Sequence, residues 1–121
     1  MKKIFLIIIC VVAYKIYAAD LGETTYKIAC SNCHSPKLAG SIGAPEAFNK
    51  KDWRKRFKSA KIAHKKEPEK FKSPLDYLLQ HVKQGKGLMH HGGLCNEAQV
   101  KNKNCSDEAL IAAINYMSRN E

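Results

Sequence analysis

The densest chemistry in the chain lies in Cys30-Ser31-Asn32-Cys33-His34. Two thiols three positions apart, with an imidazole beside the second, suit covalent attachment of haem: each sulfur adds to one vinyl group of a porphyrin, and the next side chain reaches the iron. Two other chemistries share parts of this pattern. A thioredoxin-like dithiol has the same cysteine spacing but belongs in a βαβ context, for which the chain offers no pattern. A zinc centre needs two ligands beyond Cys30 and Cys33, and His34 with His64 provides no familiar spacing.

A low-spin haem needs a second axial ligand besides His34. Met89 is the candidate, because it sits in the glycine-rich stretch Gly85 to Leu94 that follows a helix, where a thioether can be aimed inward. Met117 falls on a helical apolar stripe and reads as core. His90, His91, His64 and His81 are the competing bases. Methionine with histidine gives a higher potential than two imidazoles.

The elements that must position these groups are helical. Tyr26, Cys30 and Cys33 fall at i, i+4 and i+7, so a helix from about Gly22 to Cys33 is predicted with both thiols on one face. Ser35 to Pro45 is rich in Pro, Gly and Ser and reads as a loop. Asn49 is a predicted N-cap, with Asp52 at N3 and Phe48 and Trp53 at the two positions of a hydrophobic staple; Trp53, Phe57 and Ala60 continue the apolar stripe. Lys65 to Lys72, interrupted by Pro68, reads as a solvated loop. Ser73 caps a third helix with Pro74 at N1 and Leu75, Leu78, Leu79 and Val82 along one face, and Gly85 stops it. Ser106 opens the last, with Asp107 and Glu108 in its first turn and Leu110, Ala113, Ile114 and Met117 on one side. No segment alternates as a strand does, and no repeat is present. The expectation is one small all-α domain of about four helices.

The N-terminus is read apart from that domain. Met1-Lys2-Lys3, the apolar run Ile4 to Tyr14, and the small residues Ala18 and Ala19 form a signal-peptide pattern, with cleavage expected near Ala18 or Ala19 and a domain over 20–121. The apolar run of 11 residues is short against the roughly 20 that a spanning helix needs. Cys10 lies inside it, and Ile9 is a poor match to a lipoprotein site. Export, to a periplasm, places Cys30, Cys33, Cys95 and Cys105 where thiols are oxidised in pairs. About 100 residues then remain, a length that gains much from a covalent staple or a large cofactor.

The formal net charge is +10, and most of it is local: from Lys50 to Lys72, 11 Lys or Arg face Asp52, Glu67 and Glu69, a local charge of +8. Such a field selects partners and raises encounter rates. It is either a solubilising segment or a docking surface for an acidic redox protein; contact with a membrane surface is compatible with it. Trp53, Phe57 and Phe71 make no stacking platform, so nucleic acid is not an expected partner.

The residues resemble the class I cytochromes c, and among them the cytochrome c5-like group. The resemblance is carried by Cys30 to His34, Gly43-Ala44-Pro45, Trp53 with Arg56, Gly85-Lys86-Gly87-Leu88-Met89, Gly92-Gly93, the pair Cys95 and Cys105, and Ser106-Asp107-Glu108 leading into Ala112 to Met117. It implies a class I fold wrapped around one covalently bound haem c, with the first and last helices packed across each other. It also implies that the Pro45 carbonyl accepts a hydrogen bond from His34, that Trp53 and Arg56 hold a propionate, and that Cys95 and Cys105 form a disulfide, a ring easily closed in an oxidising compartment. Trp53 reads equally as a core residue. The chain departs from the group at Met89-His90-His91, where Met-Pro-Pro is usual, and Lys61 to Ser73 is long.

The function expected is a monomeric one-electron carrier cycling Fe(III) and Fe(II), with protein partners rather than a substrate at the iron. The alternative is a haem enzyme or a ligand-binding sensor, peroxidase-like, with a labile or histidine sixth ligand.

Overall fold

The computed structural model describes residues 2–119; Met1 of the expected leader and the last two residues of the expected domain lie outside the described residues. Six helices follow one another: α1 (Lys2–Ala29), α2 (Ser31–His34), α3 (Ala39–Ile42), α4 (Lys50–Lys66), α5 (Pro74–Gln84) and α6 (Asp107–Ser118). Among the described residues there is no strand, only an isolated bridge between Lys86 and Met89. The all-α expectation holds, and four of these helices are of useful length. Two corrections concern the shorter ones.

First, the helix that carries the first thiol does not continue to Cys33. The Ala29 carbonyl accepts the N–H of Leu94 at 2.9 Å, while the N–H groups of Cys33 and His34 turn back to the Cys30 carbonyl at 3.1 and 3.0 Å. A partner from distant chain thus breaks the ladder, and α2 is a single separate turn. Second, the expected loop from Ser35 to Pro45 contains α3, whose Ala39 is fully buried.

The three long helices behind the site begin on the predicted caps. The Asn49 side chain accepts from the N–H of Lys51 and Asp52, Ser73 Oγ from Asp76, and Ser106 Oγ from Ala109. Each such cap stabilises its helix by about 1 kcal/mol, because it satisfies donors that have no partner within the helix. Asp52 reaches back to the N–H of Glu46 at 3.2 Å, tying the start of α4 to the segment before it.

The main helix pair is α1 against α6, as the resemblance implies, and its closeness has a cause. A Cβ on Gly22 would stand 2.5 Å from the Ala112 carbonyl oxygen. Only glycine lets the two backbones approach so far. On the same interface Tyr26, Phe48 and Tyr116 pack ring to ring, with centroids 5.2–6.0 Å apart. Phe48 holds a left-handed φ of 67°, a conformation that a bulky residue adopts only when its surroundings over-determine it. Here its N–H donates to the Met117 carbonyl at 2.7 Å and its ring closes the aromatic cluster. Ala109, Leu110, Ala113, Ile114 and Met117 of α6 are all buried, which is the stripe read from the sequence.

Residues 7–17 of α1 are exposed on every side, and half-buried contact with the domain begins at Ala18. No helix among the described residues is long and apolar enough to cross a membrane.

Candidate functional site

A cavity of about 350 Å³ opens between α2, α4, α5, α6 and the loop after α5. Its walls are mostly apolar, with Leu78, Val82, Ile114 and Met117 among them, and a few polar groups enter it. That is the usual make-up of a cofactor site.

One wall is built from the Cys-x-x-Cys-His segment. Cys33 and His34 line the cavity, whereas Cys30 is buried among core side chains. His34 is 7% exposed, and its Nδ1 lies 2.8 Å from the Pro45 carbonyl oxygen. A carbonyl only accepts, so Nδ1 carries the proton and Nε2 keeps its lone pair. Burial holds the His34 pKa below the ordinary imidazole value; the Pro45 bond opposes this and the Arg56 charge adds to it. A neutral imidazole with one fixed N–H is the form in which histidine ligates a metal.

The same wall is braced from behind. Ala47 N–H donates to the His34 carbonyl at 2.7 Å, and Trp53 Nε1 donates to the Glu46 carbonyl at 2.9 Å. The indole lies near-parallel to the His34 ring at 6.3 Å. Because its single N–H is engaged by Glu46, Trp53 meets the cavity with its ring. Arg56 also lines the cavity and donates to the Gly43 carbonyl at 2.7 Å, which leaves other guanidinium N–H groups for an anion at the mouth.

Burial pushes the Cys30 thiol up to about 12, with Cys33 nearby adding to the rise. A dithiol redox centre works the other way, through a thiol whose pKa is lowered. The zinc alternative fares no better: among the described residues no cluster of three or more His, Cys, Asp or Glu is placed to hold a metal ion.

Another wall comes from α5 and the loop that follows. Leu78, His81 and Val82 share one face of α5, and Leu88 and Met89 complete it. The loop folds back on the helix end: Gly92 N–H donates to the Val82 carbonyl at 2.7 Å, and a Cβ on Gly85 would stand 2.6 Å from the Met89 carbonyl oxygen. Gly85, at φ 74°, therefore suits the turn twice over. Met89 is half-buried in the cavity wall.

The competing histidines separate sharply. His90 is exposed and paired with Glu97 at 2.5 Å, His91 is exposed, and His64 Nδ1 lies 2.6 Å from the Phe71 carbonyl; none of the three lines the cavity. His81 does, with its ring 4.1 Å from that of Tyr77. Of the four competing bases read from the sequence, His90 and His91 adjoin Met89 yet are exposed, and only His81 lines the cavity.

Cys95 and Cys105 are paired, Cα atoms 5.9 Å apart, and Cys95 is buried. Leu94 N–H, next to that pair, is the donor that breaks α1 before Cys30. The second cysteine pair is thus connected to the first through one hydrogen bond.

A family model described as cytochrome c oxidase, cbb3-type, subunit III matches residues 18–117. No curated protein and no solved structure matches the chain. The match spans most of the sequence, and the chain belongs to this family of class I c-type cytochrome domains, whose members bind haem c and transfer electrons.

Proposed function

We propose that this c-type cytochrome domain is an exported one-electron carrier with a single haem, attached through Cys30 and Cys33 and held axially by His34 and Met89. The observation that carries the reading is one cavity lined both by His34, locked into its ligating tautomer by Pro45, and by Met89 from the loop after α5. When bound, the haem supplies an iron that takes up and releases one electron between Fe(III) and Fe(II). The chain's own part is to fix two ligands, exclude substrate from the metal, and keep the surroundings apolar. Arg56 is the proposed propionate partner, with Trp53 packing behind His34. A Cys95–Cys105 disulfide would staple the Met89 loop to the start of α6, and it supports the reading of the chain as cytochrome c5-like.

Export to a periplasm follows from the leader pattern, with cleavage near Ala18 or Ala19, where contact with the domain begins. Partners are redox proteins with acidic surfaces. Lys51, Arg54, Lys55, Lys58, Lys61 and Lys65 are exposed on α4, so their field reaches solvent and can steer encounter.

Spectroelectrochemical titration of the purified holoprotein tests this reading. The expected result is one reversible one-electron transition, with a low-spin oxidised form that resists cyanide. A high-spin oxidised form that binds cyanide or peroxide readily would make the chain a haem enzyme or sensor instead.

A further inference from the structure

We propose that His81 is a reserve axial base, taking the sixth position on the iron whenever the Met89 thioether leaves it. The inference rests on the proposed Met89 ligation and concerns what the same wall does when that bond is lost.

Three observations carry it. First, His81 stands on the Met89 side of the cavity. It shares the α5 face with Leu78 and Val82, and the Met89 backbone is folded against the end of α5, one turn beyond His81. Second, the other histidines outside the attachment motif do not line the cavity, and His90 and His64 already have partners. Third, the Met89 loop is built to move more easily than the wall it faces. Met89 lies between Gly87 and Gly92, both at left-handed φ, and its neighbour Leu88 is 72% exposed. No proline stiffens positions 90 and 91.

The groups around His81 favour its ligating form. Burial, reinforced by the charges of Lys86 and Lys70, holds it below the ordinary imidazole value, so a nitrogen lone pair is available near neutral pH. The Tyr77 ring meets the imidazole edge-on and limits its swing. The exchange would balance: the Met89 thioether would leave with its own electron pair, the His81 imidazole would supply another, and the oxidation state of a bound iron would not change. Its consequence is a lower reduction potential, since two imidazoles stabilise the oxidised iron better than imidazole with thioether. Loop displacement would then turn down the driving force for electron uptake without opening the metal to substrate.

The test compares oxidised holoprotein of wild type, Met89→Ala, Met89→Ala/His81→Ala and Met89→Ala/His90→Ala/His91→Ala by electronic absorption and electron paramagnetic resonance. Met89→Ala is expected to stay low-spin without the near-infrared sulfur-to-iron band, and to remain so when His90 and His91 are removed. Removing His81 as well is expected to convert it to a high-spin form that binds cyanide. A high-spin Met89→Ala, or a low-spin state that survives His81→Ala and so belongs to another base such as Lys86, overturns the proposal. Met89→Leu, which keeps the volume, replaces Met89→Ala if the latter fails to retain haem. The wild-type band separates the two claims: its absence removes the Met89 reading, while the spin states of the variants decide His81 in either case.

Discussion

The two walls of the cavity are built by different means. Around His34 nearly every polar group has a partner from another segment: Pro45, Ala47, Glu46 with Trp53, and Gly43 with Arg56. Around Met89 most contacts are local, with Met89 bridged to Lys86, His90 paired with Glu97 and Gly93 bonded back to His90; Gly92 ties the loop to the end of α5, and glycines stand at the bends. The first wall fixes one ligand in one tautomer. The second carries Met89, the proposed sixth ligand, on a glycine-bent loop, with His81 on the same wall. If both proposed ligands hold, the iron would be secured from one side and adjustable from the other.

Substitutions should respect that asymmetry. The largest effect is expected at His34→Ala, which should abolish accumulation of haem-loaded protein, measured by covalent haem content; Met89→Ala should leave attachment intact. Equal haem loss in both would erase the distinction between the walls. Gly22→Val comes next. Its branched side chain must meet the Ala112 carbonyl, and overpacking of this kind destabilises by about 1–3 kcal/mol, measured by urea unfolding of the holoprotein.

Cys95→Ser/Cys105→Ser should cost about 2–4 kcal/mol in the same assay. It should also loosen the Met89 side first, because the Leu94 bond to Ala29 and the loop base lie beside the pair. Ser73→Ala and Asn49→Ala should each cost about 1 kcal/mol, with the Met89-side helix α5 and the His34-side helix α4 responding alike. The smallest effect concerns α4. Replacing Lys51, Lys55 and Lys58 with Gln should slow reaction with an acidic redox protein at low salt and change little once salt shortens the Debye length below about 10 Å. Rates indifferent to salt would remove steering.

Much of this was legible in the residues, because local chemistry decides it. The caps at Asn49, Ser73 and Ser106 each place a side-chain acceptor over unpaired backbone donors, and the stripes of α5 and α6 follow from helical period alone. The Cys-x-x-Cys-His spacing named the cofactor. What escaped depends on chain far away. The break before Cys30 requires the N–H of Leu94, and α3 forms where breaker residues suggested only loop. The close crossing at Gly22 is visible only once Ala112 lies against it. The competing bases illustrate the limit best: the sequence named His64, His81, His90 and His91 together, and only the fold leaves His90 and His91 exposed and sets His81, one turn before the end of α5, in the cavity wall.

The most direct test of a closed iron held by two protein ligands is the near-infrared spectrum of the oxidised holoprotein. The weak sulfur-to-iron charge-transfer band is expected in wild type and its loss is expected in Met89→Ala. A wild-type spectrum without that band, in a protein that binds one haem through Cys30 and Cys33, would contradict it.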